Sequence, residues 1–393
     1  MSDHTDAPGR GFDRAEFETR LTRAQAAMTR NELDALVVTT PHNVRYFSGF
    51  ATQFWESPTR PWFLIVPREG GLIAVIPEIG APGMALTWVG DIRTWPAPQP
   101  EDDGISLMTS ALEALPRRFG RIGWEMGREQ VIRMPIKDFD RLRDKVSGIE
   151  FADGSPTIWS LRMVKSPAEI GHIRHICGIA SDAFEALPAK LGIGDTEIEA
   201  GRQLRLEVIA RGADSVPFMA PISGPGGYDQ IIVGPRERQL TRGDVLFIDL
   251  GALYDGYSCD FDRNYAVGAI SDEVRRAHEA VWDATEAGIA AARPGATTTD
   301  LWRAMATVLE DAGSQGLNVG RMGHGLGMQL TEPPSNTSDD GTELVPGMVM
   351  TIEPGMEFAA GKMLVHEENV AITEDGCELL TRRAPREMWT IGG

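Results

Sequence analysis

Two periodicities alternate along this chain. Phe17, Leu21, Ala24 and Met28 recur at helical spacing, which predicts an amphipathic helix from about Phe12 to Arg30. The apolar run Ala35–Val38 follows as a buried strand. Pro41-His42-Asn43 punctuates it, and the stretch from Asn43 to Gly49 reads as the start of a loop. Strands at Trp62–Val66 and Leu72–Ile76 flank a turn at Arg68-Glu69-Gly70-Gly71. A helix near Ile105–Leu115 and a strand at Arg121–Trp124 continue an α/β alternation. Ser166-Pro167-Ala168-Glu169 then carries a helix start: a serine cap, proline at the first position and glutamate to reach back. Helices are expected from there to about Leu187, then over Asp195–Arg211, Asp272–Ala292 and Thr299–Ala312, with glycine-rich strand segments between and after them.

A chain of 393 residues exceeds one ordinary compact domain. A boundary is expected near Thr157–Ser166, giving residues 1–160 and residues 161–393. A formal charge of −19 with no dense basic cluster argues against nucleic acid as a partner. No apolar run is long enough for a bilayer, which argues against a membrane. The stretch Met1–Phe12 is polar and reads as a frayed leader rather than a secretory signal. Cys177, Cys259 and Cys377 are too few and too far apart for a disulfide frame, which points to a reducing, cytoplasmic setting.

The residues that carry chemistry lie in the second part. Val245–Leu250 and Tyr257–Arg263 are apolar-rich runs joined through Asp255-Gly256, a strong two-residue hairpin signal. With that turn, Tyr254 faces Tyr257, Asp249 lies opposite Asp262 and diagonal to Asp260, and all three carboxylates share one face; the plainer alternative is a register slip or bulge that turns one aspartate, Asp262 before the others, to solvent. Like charges that close call for a hard divalent cation. Three further segments supply polar groups on glycine-rich or apolar backbone. They are Gly323-His324-Gly325-Leu326-Gly327, Ile352-Glu353-Pro354-Gly355, and Leu364–Ile372 with Glu367 and Glu368 inside a predicted strand. Taken singly, each histidine or glutamate is more ordinary as a turn or surface residue. The set carries the argument.

As a set, these segments resemble the pita-bread metallopeptidase family, which includes methionine aminopeptidase, aminopeptidase P and prolidase. Asp260 stands eleven residues after Asp249, and His324, Glu353 and Glu367 follow in the family's order. The Asn43/Tyr46/Gly49 run and the smaller first domain resemble the aminopeptidase P, prolidase and creatinase branch. The resemblance implies an α+β chain, with a C-terminal pita-bread domain preceded by a smaller α/β creatinase-type N-terminal domain. It also implies two divalent metal ions, with manganese preferred over iron, cobalt and zinc. Asp249 would chelate one ion, Asp260 and Glu367 would bridge both, and His324 and Glu353 would complete the second. Glu353 would relay the proton, and a homodimer is expected.

The surrounding residues depart from the pattern. Family peptidases carry a histidine about seventeen residues before the first aspartate and another seven after the Gly-His-Gly histidine; here these positions are Ile232 and Thr331. An arginine two before the last glutamate is replaced by Val365, and Asp262 stands where threonine is usual. The expected activity is hydrolysis of a C–N bond in a short peptide, of the Xaa-Pro dipeptidase or aminopeptidase type. The alternative is a hydrolase or lyase of the same fold acting on a small osmolyte-like or amidine molecule, as in ectoine hydrolase or dimethylsulfoniopropionate lyase. A non-catalytic binding module would not need the full ligand set. Asp262, Ile232, Thr331, Tyr257 and Trp55 are the candidates for the substrate pocket. For the Trp55–Trp62 stretch, subunit packing is the plainer reading, and a ring reaching an active site across a dimer interface is the other.

Overall fold

The computed structural model describes residues 7–56, 60–316 and 320–392. The first half of the Met1–Phe12 leader and the middle of the Trp55–Trp62 stretch lie outside the described residues. The chain divides into two compact units, Gly9–Arg162 and residues 163–392, the second also taking in Ala7 and Pro8.

The first unit runs α1 (Arg14–Arg30), β1 (Ala35–Val38), α2 (Pro41–Ser48), β2 (Phe63–Pro67), β3 (Ile73–Pro77), α3 (Ala81–Met84), β4 (Asp91–Trp95), α4 (Ile105–Glu113), β5 (Arg121–Trp124), α5 (Ile136–Lys145), β6 (Glu150–Asp153) and α6 (Ser155–Arg162). Among the described residues its strands form a six-stranded sheet in the order β4-β3-β2-β1-β5-β6. β1 pairs antiparallel with β2 and parallel with β5. All four of its residues are buried, as a strand covered on both faces requires. Val37, Phe63, Ile65, Val75 and Ile122 pack with Met108 and Leu112 of α4 and Phe139 and Leu142 of α5.

One local expectation is corrected here. The Pro41–Ser48 stretch is a helix, not a loop. Pro41 occupies the first turn, where a missing N–H costs nothing. The buried Glu125 carboxylate accepts the amides of Thr39 and Thr40 at 2.5 and 3.2 Å, just before that turn. Gly49, at φ 75°, closes the helix in the left-handed region.

The second unit contains α7 (Pro167–Ala186), α8 (Glu197–Ala210), β7 (Ser215–Pro225), β8 (Asp244–Tyr254), β9 (Tyr257–Val267), α9 (Asp272–Ala291), α10 (Thr298–Asp311), β10 (His324–Gly325), β11 (Glu332–Ser335), β12 (Val349–Ile352), β13 (Gly355–Ala359), β14 (Lys362–Val365), β15 (Glu368–Ile372), β16 (Cys377–Leu379) and β17 (Trp389–Ile391). The capping box predicted for α7 is present, with Ser166 and Glu169 each bonded to the other's backbone amide. Thr196 and Thr297 start α8 and α10 in the same way, with Glu199 and Asp300 as the reciprocal partners. Among the described residues, β17-β9-β8-β7 form one sheet, β11-β10-β12-β15-β16 another, and β13-β14 a separate ribbon. The shared core includes Ile222, Val245 and Phe247 from the first sheet, Val281 and Leu301 from α9 and α10, and Met350, Ile352 and Val370 from the second.

The single strand expected over Leu364–Ile372 is two strands. Val365 of β14 pairs with Gly355 of β13, while Glu368 of β15 pairs with Ile352 of β12. The chain therefore changes partners at His366-Glu367, strand alternation lapses, and His366, Glu367 and Glu368 are all buried. This is the device that brings an acidic side chain into the interior.

Candidate metal centre

The β8–β9 hairpin turns at Asp255 (φ 49°) and Gly256 (φ 81°), the pair of positive φ values that a tight two-residue turn demands. Its register pairs Tyr254 with Tyr257, Asp249 with Asp262 and Gly251 with Asp260. Gly251, opposite Asp260, lets the Leu330 side chain close against the ribbon, since a Cβ there would sit 2.4 Å from it. The backbone at Asp260 is clamped by the Asn369 amide. Its Oδ1 accepts the Asp260 N–H at 3.1 Å, and its Nδ2 donates to the Asp260 carbonyl.

His324 owes its position to close backbone packing. Gly323 adopts φ +117°, and a Cβ on it would lie 2.1 Å from the Thr351 carbonyl oxygen; on Gly325 it would lie 2.3 Å from that of Pro333. The His324 N–H donates to Thr351 Oγ1 at 3.1 Å. Its Nδ1 is 2.8 Å from the Gly325 carbonyl, which fixes Nδ1 as the protonated nitrogen and leaves Nε2 as a lone-pair donor. That Nε2 stands 3.5 Å from Asp260 Oδ2. Asp260, His324 and Glu367 each offer a ligand atom, all within 4.8 Å of one another, and all three residues are buried.

Asp249 and Glu353 adjoin this trio. Although part of each residue reaches the surface, burial of the carboxyl groups sets their chemistry. Burial first and Asp260 second push Asp249 well above the carboxylate range. Burial lifts Glu353 to about 8; His324 opposes the rise, and Asp249 and Asp260 add to it. Asp260 is also raised by burial, with Arg321 opposing. Glu367 is raised by burial and then by Glu353, Asp260 and Asp249. Asp249 Oδ1 and Glu367 Oε1 are buried without a hydrogen-bond partner. Carboxylates so enclosed require protons or cations as counter-charge. Four carboxylates and one imidazole match the donors that divalent metals take, so the residues present fit such ions.

The other predicted pocket residues are spread more widely. Asp262 is 1% exposed on the same ribbon face. The Tyr257 hydroxyl donates to Glu169 at 2.9 Å and is buried. Thr331 accepts from Arg321 at 3.2 Å. Ile232 is 82% exposed on the segment after Tyr228. Trp55, in the first unit, is buried against Trp62 with ring centroids 5.8 Å apart.

Sequence reasoning missed four polar groups that support the centre. Besides Asn369 and Arg321, these are Arg263 and Glu368. The Arg263 guanidinium donates to the carbonyls of Asp262, Glu367 and Arg382 at 2.6, 2.9 and 2.8 Å and to Glu368 at 3.0 Å. It thereby ties the Glu367 backbone to β9. The signal for Glu368 was present as an acidic pair inside an apolar run, but nothing local names its partner.

Comparison with known proteins decides the family. The model of metallopeptidase family M24 matches residues 171–374, just over half of the chain. The chain belongs to metallopeptidase family M24. The creatinase/prolidase N-terminal domain matches residues 20–164 of this M24 chain. A probable dipeptidase PepE of Mycobacterium tuberculosis is 29% identical over 97% of this chain and 98% of its own length. The Xaa-Pro dipeptidase of Pyrococcus furiosus is 27% identical over 93% of this chain and 98% of its own. The crystal structure of dipeptidase PepE from Mycobacterium ulcerans superposes with a TM-score of 0.84 at 29% identity, covering 98% of this chain and all of that one. The fold is accordingly a creatinase-type N-terminal domain followed by a pita-bread domain. Membership implies divalent metal ions and a metal-dependent hydrolase.

Proposed function

We propose that this M24 chain hydrolyses short peptides of the Xaa-Pro type, using two divalent metal ions held by Asp249, Asp260, His324, Glu353 and Glu367. The observation that carries the reading is the convergence of Asp260, His324 and Glu367 within 4.8 Å, with partnerless acidic oxygens beside them. The relatives named as dipeptidase and Xaa-Pro dipeptidase, matched along nearly their whole length, support the substrate class. A donor set of four carboxylates and one imidazole supports manganese over a thiolate-type zinc site.

Divalent ions bound here supply Lewis acidity and lower the pKa of water. The chain's own residues do the rest. Asp260 and Glu367 reach the shared centre, with Asn369 and Arg263 holding their backbones. His324 presents Nε2 because Nδ1 is engaged. Glu353, beside Asp249, Asp260 and His324, takes the proton released by the attacking water and delivers it to the departing amine. Arg321 adds positive charge at the Thr331 edge of the centre.

The second reading, a hydrolase or lyase acting on a small nitrogenous molecule, is favoured by the altered rim. Ile232 and Val365 offer no side-chain hydrogen bond to a peptide, and Val365 is buried. Three free cysteines and the absence, among the described residues, of a helix long and apolar enough to cross a membrane support a cytoplasmic enzyme. A homodimer remains part of the proposal, and sedimentation tests it. The deciding assay is turnover of Xaa-Pro dipeptides by Mn2+-loaded protein. Turnover establishes the peptidase; full metal loading without turnover moves the reading to the small-molecule class.

A further inference from the structure

Asp262 is an acid that the five-residue set leaves unused. Its side chain is 1% exposed, and neither carboxylate oxygen has a hydrogen-bond partner among the described residues. The cation next to it in sequence is committed elsewhere. Arg263 projects to the other face of β9, where it serves three carbonyls and Glu368. The nearby Tyr228 hydroxyl is also taken: it donates to Asn264 and accepts the Val365 amide. Asp262 instead lies directly across the ribbon from Asp249. Directly paired residues bring their Cβ atoms to about 4.5–5.5 Å, close enough for both carboxylates to reach one ion. Asp249 itself has a buried oxygen with no partner. A buried carboxyl without a partner must carry a proton or meet a cation, and two such groups facing each other across one ribbon are placed to share a cation.

Resting on the reading that divalent ions bind at this centre, we propose that Asp262 is a sixth protein ligand, sharing with Asp249 the ion on that side of the ribbon. That subsite is then built from carboxylate oxygens alone, while His324 serves the other ion. An all-oxygen subsite selects a hard cation of the manganese class and disfavours zinc.

The test uses the full-length chain stripped of metal and titrated calorimetrically with Mn2+ and, separately, with Zn2+. Wild type, Asp262→Asn, Asp262→Thr and Asp260→Ala are compared. The expected result is two Mn2+ per wild-type chain, with one of the two weakened by about tenfold or more in both Asp262 variants. The loss for Zn2+ is smaller, and the metal-free Asp262 variants melt no lower than wild type, so that the loss is one of ligation and not of folding. Asp260→Ala, which alters the shared trio, loses both ions. Mn2+ affinities unchanged in both Asp262 variants overturn the proposal while leaving the metallohydrolase reading intact. A wild-type chain that binds no Mn2+ overturns that reading, and this proposal with it.

Discussion

Replacing Glu368 with alanine tests how the pita-bread unit carries its buried charge. Glu368 is fully buried and accepts from Arg263 at 3.0 Å, Arg383 at 3.1 Å, the Ala384 amide at 3.3 Å and the Thr381 hydroxyl. In Glu368→Ala, Arg263 keeps its three carbonyl acceptors but loses its counter-charge while remaining 2% exposed. Breaking a buried pair from one side costs about 3–5 kcal/mol. For a unit of this size each kcal/mol is worth roughly 2–4 °C, so the melting temperature should fall by roughly 6–20 °C. Glu368→Gln keeps the shape and gives up the charge, and should lose about 1.5–3 kcal/mol. An internal control is the Arg174–Glu378 pair, bonded at 2.7 Å but 47% and 43% exposed. Glu378→Ala should cost no more than about 1 kcal/mol. The assay is thermal and urea unfolding of the full chain at a fixed Mn2+ excess, so that metal linkage is the same for every variant. If Glu368→Ala unfolds within 1 kcal/mol of Glu378→Ala, the argument that this carboxylate anchors Arg263, and through it the Glu367 backbone, is refuted.

Other expectations follow from the same geometry. Gly323→Ala places a Cβ against the Thr351 carbonyl at a φ that side chains avoid; it should lose about 1–3 kcal/mol and weaken metal binding, read by melting and by metal analysis. Asn369→Ala removes both bonds to the Asp260 backbone and should reduce Mn2+ affinity about 10–100-fold in a calorimetric titration. Burial raises Asp244, but the Arg238 guanidinium at 2.8 and 2.9 Å and the Thr241 amide outweigh it, so its folded pKa lies below the unfolded value. The stability it contributes is complete above about pH 4 and is lost as pH falls through the folded value. Asp244→Asn should therefore flatten the acid limb of the stability–pH curve, and an unchanged limb contradicts the assignment. Chelation of the metals should lower the melting point, and free Mn2+ at 100 times its Kd should restore about 2.7 kcal/mol for each site filled.

The parts of this chain legible beforehand are those whose cause is local. Asp255-Gly256 and the flanking alternation gave the hairpin register, and Ser166-Pro167-Ala168-Glu169 gave the start of α7. The Pro41 helix was missed because the amides of Thr39 and Thr40, which lead into it, are met by Glu125, more than eighty residues away. The break at His366-Glu367 was missed because it depends on which strand each half joins, and β12 and β13 are chosen by tertiary packing. The supports of the centre escaped for the same reason: Arg263 meets Glu368 at a separation of 105 residues, and Asn369 meets Asp260 at 109. Motif spacing names side chains that converge on a cation. It is silent about the polar groups that hold their backbones in place.

The most direct test is an anomalous difference map from crystals of the full chain grown with Mn2+. Two peaks enclosed by the side chains of Asp249, Asp260, His324, Glu353 and Glu367 are predicted. Peaks located elsewhere, or none at full Mn2+ loading, would contradict the claim that these buried acids exist to hold metal.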